Sequence, residues 1–278
     1  MANSAEQRVA QHYAHGTLEQ SILTALRDAG KDPDHLSLAD LAPVDEFHIG
    51  GRQATVDFAA QLDIERGLSL LDVGCGLGGA SRYFAHEWNC RVTGIDLTEE
   101  YVQVAEALAK RTGMAGSVSY RCTSALALPF APGTFDGAYM LHVGMNIKDK
   151  MAVFAEIRRV LKSQGVFGIY DVMQESEGEL SFPVPWASSA ETSFVESAAA
   201  YRRLLDAAGF EVRTERSRRE FAIEFFRVMG ARAVESGGLP PLGLQILMGA
   251  ASPRKVENMI GNLEHGLIAP TEIICHVK

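Results

Sequence analysis

The chain has 278 residues, of which 47% are hydrophobic, so it can bury a full core within one large domain. The net charge of −9 argues against a nucleic-acid partner, because the only tight basic cluster is Arg216, Arg218 and Arg219. Four cysteines without a C-x-x-C pair or a metal-ligand spacing predict reduced thiols and no metal site.

Targeting and membrane signals are missing from the sequence pattern. The first residues lack the apolar stretch of a signal peptide, and no run approaches the roughly 20 apolar residues that cross a bilayer. The expectation is a soluble, cytoplasmic protein without a membrane partner, and the sequence does not indicate an oligomeric state.

The predicted elements begin with a helical cap over residues 1–58. Residues 7–28 have a helical pattern, and a turn-rich stretch follows at 31–34. The remaining residues, 59–278, are predicted to form one domain. Its predicted strands are 68–73, 91–95, 118–121, 135–141, 166–171, 211–216 and 272–277.

Helices are predicted between most of these strands, at 80–88, 99–112 and 151–161. Strict alternation favours an α/β fold with a doubly wound, mostly parallel seven-stranded sheet. A helical insertion at about 218–268, broken by Pro240 and Pro241, precedes the last strand. We expect the helical additions to form a lid over a pocket.

A glycine-rich loop follows the first predicted strand. Gly74, Gly76 and Gly79 satisfy G-x-G-x-x-G, which is shared by nucleotide-binding enzymes of several classes. Asp72 precedes the loop and no Lys lies within it, which suits a cationic ligand better than a pyrophosphate. Asp96 ends the second strand, where a carboxylate can accept both ribose hydroxyls of an adenosine-containing cofactor.

Three motifs together resemble class I S-adenosylmethionine-dependent methyltransferases of the small-molecule branch. They are LLDVGCGLGG, GIDL and ALALPFAPGTFD, in the family's order. The resemblance implies S-adenosyl-L-methionine as cofactor and S-adenosyl-L-homocysteine as product. It implies that Gly74, Gly76 and Gly78 line the methionine portion and that Asp72 holds its ammonium group.

The same resemblance assigns the adenosine end of the cofactor. Asp96 and Leu97 would bind ribose and adenine, and Ser124, Ala125 and Leu126 would border the adenine ring. Many relatives carry Asp at the position of Ser124, so this sequence departs from the family there.

The acceptor is expected beyond the carboxyl ends of the strands. His142 follows the fourth strand and is a candidate base or cofactor contact, and Tyr13 and His48 are further catalytic candidates. The LHVGMNI, YDV, FPVPWA and HIGG segments are similar to sarcosine and dimethylglycine N-methyltransferases. This likeness implies a small amine acceptor. Tyr13 and Trp186 are candidates for cation–π contacts with a methylated ammonium or for packing within the lid. No arginine is clearly placed for a carboxylate, and Arg52 beside the HIGG segment is the one candidate.

Three alternatives remain open from the sequence. O- or C-methylation of a small metabolite uses the same cofactor motifs. An NAD-dependent oxidoreductase shares the glycine pattern. A catalytically silent module that only binds the cofactor would carry the same cofactor motifs.

Overall fold

Seven strands form one sheet in the computed structural model, which describes residues 4–278. They are β1 (Ser69–Val73), β2 (Arg91–Asp96), β3 (Val118–Cys122), β4 (Phe135–Leu141), β5 (Leu161–Gln174), β6 (Phe210–Ser217) and β7 (Ile268–Val277). The strand order is β3-β2-β1-β4-β5-β7-β6, and only β7 runs antiparallel to its neighbours. The predicted doubly wound, mostly parallel seven-stranded sheet is confirmed.

Eleven α-helices accompany the sheet among the described residues. They are α1 (Ala5–Tyr13), α2 (Leu18–Asp28), α3 (Leu38–Asp45), α4 (Gly51–Ala59), α5 (Gly79–Trp88), α6 (Glu99–Arg111), α7 (Lys150–Val160), α8 (Ala198–Ala207), α9 (Arg219–Glu235), α10 (Gln245–Met248) and α11 (Ser252–Glu264). Helices α4, α5 and α6 pack on one face of the sheet, and α7 and α8 pack on the other. This layering follows from strands that are apolar on both faces.

Two predicted boundaries differ from the structure at the N-terminal end. The helix expected over 7–28 is two helices, because Gly16 has a φ of +79° and the Glu100 carboxylate accepts the N–H groups of the connecting turn. The proposed limit at residue 58 falls inside α4, whose Phe58 packs in the core beneath the sheet.

The strand β5 is longer than the predicted 166–171. It pairs with β7 from Val166 opposite His276 to Gln174 opposite Ile268. This pairing explains the length of both strands, since each additional residue of β5 pairs with a residue of β7.

We call α9, α10 and α11, with the segments that join them, the helical lid. Leu242 and Leu247 of the lid share a hydrophobic cluster with Leu18 and Leu26 of α2. The N-terminal helices and the insertion therefore pack against each other. Within residues 4–278, no helix combines the length and the apolar character that crossing a bilayer requires.

A buried ion pair joins α3 to α5. Nη2 of Arg82 donates to Oδ2 of Asp45 at 2.5 Å, and both side chains are almost fully buried. Nη1 of Arg82 also donates to the Leu77 carbonyl at 2.9 Å, at the end of the glycine loop. The pair therefore connects the N-terminal helices to the loop after β1.

We predict that Arg82→Met lowers the free energy of unfolding by about 3–5 kcal/mol, because it leaves Asp45 buried without its charge partner. The double variant Asp45→Leu with Arg82→Met should lose less than the sum of the two single variants. Urea unfolding of all four proteins measures the coupling, and additive losses would contradict a direct interaction.

Candidate active site

The glycine loop takes a backbone path that few other residues adopt. Gly74, Gly76 and Gly78 have φ values of +73°, +53° and +77°. A Cβ on Gly74 would come within 2.4 Å of Val143, whereas a Cβ on Gly76 would meet no protein atom within 4 Å. Gly74 is therefore required by packing, and Gly76 leaves open space beside the loop.

Asp96 holds this loop in place from the end of β2. Its Oδ2 accepts the Gly76 N–H at 3.0 Å, and its Oδ1 accepts the Thr98 N–H at 2.8 Å. Burial raises the pKa of the Asp96 carboxyl, and these backbone bonds oppose the rise. The Thr98 side chain makes no capping hydrogen bond, so Asp96 supplies the carboxylate acceptor for a backbone N–H at the start of α6.

A cavity of about 1080 Å³ opens from the loop and extends under the helical lid. It lies at the carboxyl ends of β1 and β4, where the strand order changes direction. The structure brings together these predicted site residues along its lining: Tyr13, His48, Asp72, Gly74, Gly76, Asp96, Leu97, Ala125, Leu126 and His142.

Two predicted cofactor residues, Gly78 and Ser124, are not among those that line the cavity. A Cβ on Gly78 would lie 2.3 Å from the Tyr120 hydroxyl, so this glycine serves close packing on the other side of the loop. The Ser124 hydroxyl donates to the carboxylate of Glu6 on α1 and accepts the Leu126 N–H at 3.0 Å.

Glu6 is a cavity-lining residue that the sequence reasoning missed. It lies 118 residues from Ser124 in the chain, so no local spacing links the two. The one sequence feature that pointed to such a residue is Ser124 itself, because it stands where many relatives carry a carboxylate. The structure places a carboxylate there from another element.

Asp72 is fully buried under the loop. The Ser81 hydroxyl donates to its Oδ2 at 2.6 Å, and burial raises the pKa of Asp72 to about 7. The carboxyl group therefore changes its charge near neutral pH and would respond to a cation placed beside it.

His142 has a constrained geometry at the end of β4. Its φ is +54°, which is uncommon for a residue with a side chain. Its Nδ1 accepts the Ile49 N–H at 3.4 Å, so the ring proton is on Nε2, which is buried without a hydrogen-bond partner among the described residues. Burial lowers the pKa of His142 well below its ordinary value, so the ring is a neutral donor.

His48 has the same tautomer, but its Nε2 is hydrogen-bonded. Its Nε2 lies 3.2 Å from the Gly51 carbonyl, which only accepts, so Nε2 carries the proton and Nδ1 keeps a lone pair. The Thr55 hydroxyl is 3.0 Å from the same Nε2 and donates to Glu46 at 2.7 Å. Burial lowers the pKa of His48 to about 4, so this ring is unprotonated at neutral pH.

Tyr13 anchors α1 over the cavity. Its hydroxyl donates to Oδ1 of Asn146 at 2.9 Å, and Asn146 donates to the Trp186 carbonyl at 2.9 Å. Burial raises the pKa of Tyr13 above its ordinary value, so the phenol stays protonated. Trp186 lines the cavity and is buried, with its indole N–H donating to Ser193.

No group of three or more His, Cys, Asp or Glu side chains among residues 4–278 is arranged to hold a metal ion.

Residues 71–169 match the family model described as a methyltransferase domain. The chain contains a methyltransferase domain. This domain covers β1 to the middle of β5, including the glycine loop, Asp96 and His142.

Curated relatives match part of the chain. A sterol 24-C-methyltransferase of Gibberella zeae is 33% identical over 113 residues, which are 41% of this chain and 30% of that protein. An O-methyltransferase of Penicillium expansum is 33% identical over 164 residues, or 58% of this chain and 59% of that protein. The chain thus spans less than two thirds of the length of these relatives.

Solved structures share the fold. A Galdieria sulphuraria protein described as a sarcosine dimethylglycine methyltransferase has a TM-score of 0.64 and 20% identity, covering 81% of this chain and 83% of its own. The [4+2]-cyclase SpnF has a TM-score of 0.69 and 22% identity, covering 100% and 97%. The predicted class I methyltransferase fold is confirmed.

We predict that Gly76→Ala abolishes or strongly weakens binding of S-adenosylhomocysteine, because the added methyl group enters cavity space that no protein atom occupies. Gly113→Ala is the matched control, since Gly113 has a similar φ of +70° and open surroundings away from the cavity. Calorimetric titration of both variants separates ligand exclusion from backbone strain. Equal affinities in the two variants would contradict the assignment of the loop.

Proposed function

We propose that the chain transfers a methyl group from S-adenosylmethionine to a small-molecule acceptor. The observation that carries this proposal is one continuous cavity that joins the glycine loop and Asp96 to a space under the helical lid, within a methyltransferase domain. In the reaction the sulfur–methyl bond breaks, a bond from the acceptor to the methyl carbon forms, and sulfur keeps the electron pair. S-adenosylhomocysteine is the product.

The residues beside the loop suit this cofactor. The open space at Gly76 receives a ligand against the backbone, and the Asp72 and Asp96 carboxylates favour a cation over a phosphate. Asp96 would accept the ribose hydroxyls through its remaining lone pairs. Leu97, Ala125 and Leu126 would border the adenine.

Glu6 would accept a hydrogen bond from the adenine amino group. Its carboxylate lines the cavity and already contacts Ser124, where related sequences carry an acid. The α1 helix, held by Tyr13 on Asn146, would then cover the adenine end of the cofactor.

The two histidines would act on the acceptor in different ways. His142 presents an N–H group and would donate a hydrogen bond that orients the acceptor. His48 keeps a lone pair on Nδ1 and is the better candidate to receive a proton when the acceptor carries one. Both rings are weak bases, which suits a neutral amine that needs little base assistance.

An amine is therefore our preferred acceptor, and O- or C-methylation is the alternative. A glycine derivative would also need a cation for its carboxylate. Nε of Arg52 is already bonded to Glu46 at 2.5 Å, which neutralises the charge of the guanidinium, and its Nη2 is buried without a hydrogen-bond partner among the described residues. The arginine therefore gives little support to an amino-acid acceptor.

We predict that affinity for S-adenosylhomocysteine rises with pH between about 5.5 and 7.5. The pKa of Asp72 is about 7 in the free protein, so the carboxyl is mostly protonated at the lower limit and mostly ionised at the upper one. An ammonium group of the ligand favours the ionised form, so affinity should fall by up to about tenfold for each pH unit below the pKa.

Calorimetric titration across this range tests the prediction. Asp72→Asn keeps a hydrogen-bond acceptor for Ser81 and should bind more weakly, with no such slope. A slope that persists in Asp72→Asn would exclude Asp72 as its origin.

We predict that His142→Ala lowers methyl transfer by about 10–100-fold, partly through KM, and changes affinity for S-adenosylhomocysteine much less. A role in orientation gives this result, whereas loss of a general base would cost about 10²–10⁴-fold in kcat alone. The assay follows labelled methyl groups from S-adenosylmethionine into a panel of nitrogen, oxygen and carbon nucleophiles.

Wild-type transfer to any acceptor supports the proposed function. Tight binding of S-adenosylhomocysteine without transfer to any member of the panel would contradict it and favour a module that only binds the cofactor.

A further inference from the structure

The volume of the cavity lies slightly above the usual range for a single ligand. Pockets for a single drug-sized molecule usually measure about 300–1,000 Å³, and this cavity measures about 1080 Å³. The cofactor would take the part between Gly76 and Asp96. The part under the helical lid remains for the acceptor.

The lid gives this remaining part an uncharged wall. In the part of the chain that the structure describes, no cavity-lining residue from 219 onward carries a charge. Phe225, Phe226 and Met229 of α9 line the cavity, while Glu224 and Arg227 of the same helix form an exposed pair. Helix α9 therefore turns an apolar face to the cavity and a charged face outward.

The strands and loops opposite the lid continue this apolar wall. Ile49, Met145, Val172 and Trp186 line the cavity and belong to one hydrophobic cluster with Met259 of α11. A zwitterion or a phosphate placed here would lose its hydration without gaining a charge partner from this wall.

The charged residues of the described cavity lining are mostly acids. They are six carboxylic acids and two bases, namely Glu6, Asp45, Glu46, Asp72, Asp96 and Asp149 against Arg52 and Lys148. Arg52 lies over the Tyr83 ring at the α5 side and is bonded to Glu46, and Lys148 is exposed. Neither cation belongs to the helical lid, so the wall that the lid contributes offers no charge partner to an anionic acceptor.

We infer that the acceptor is a bulky, predominantly apolar molecule without an anionic group. It lies between α9 and the ends of β4 and β5, with its nucleophilic atom beside His142 and His48. The inference rests on the proposed function, because the position of the nucleophile follows from that of the cofactor. It selects against amino acids, phosphoamines and prenyl diphosphates as acceptors.

The test compares two ligands with the same hydrocarbon chain, geraniol and geranyl diphosphate, by calorimetry on the full chain saturated with S-adenosylhomocysteine. We expect geraniol to bind at least about tenfold more tightly than the diphosphate, and dimethylglycine to show no saturable binding. Tighter binding of the diphosphate or of dimethylglycine, or no saturable binding of geraniol, would overturn the inference.

Two lysine variants on α9 locate the ligand. Met229→Lys adds a cation to the cavity face and should weaken geraniol binding. The ratio of the affinity for geranyl diphosphate to that for geraniol should rise by at least about tenfold. Val234→Lys is the control, because Val234 is 82% exposed. Equal ratios in the two variants would place the ligand elsewhere. Failure of S-adenosylhomocysteine itself to bind would instead overturn the proposed function.

Discussion

The hydrogen bond from the Gly76 N–H to the Asp96 carboxylate determines the shape of the site. It ties the loop after β1 to the end of β2, next to the point where the strand order reverses. Only glycine readily follows the resulting backbone path, and the absence of a side chain at Gly76 leaves the space that a ligand needs. The remaining parts of the site are arranged around this opening.

The cavity has two ends with different chemistry. The end near the loop is rich in carboxylates, which favours a sulfonium and an ammonium group. The end under the lid is apolar, which would exclude water from the proposed methyl transfer. His142 and His48 line this cavity as unprotonated rings, and in the proposed reaction they would orient a polar atom of the acceptor as donor and acceptor respectively.

The sheet and the loop could be predicted because their signals are local. β1, β2 and β4 are bounded within a residue of the predicted ranges, since each is a short, largely apolar run. Gly74 follows β1 and Asp96 ends β2. The contacts between Glu6 and Ser124, and between Asp45 and Arg82, could not be predicted, because they join residues far apart in the chain. The tautomer of His142 likewise depends on the Ile49 N–H, 93 residues away in the chain.

A crystal structure of the complex with S-adenosylhomocysteine tests the central claim most directly. We predict that the ribose hydroxyls bond to the Asp96 carboxylate and that the adenine amino group lies within hydrogen-bond distance of Glu6. We also predict that the sulfur faces the apolar space beneath α9, with room for an acceptor in line. A ligand bound away from Gly76, or one whose sulfur points away from that space, would contradict the claim.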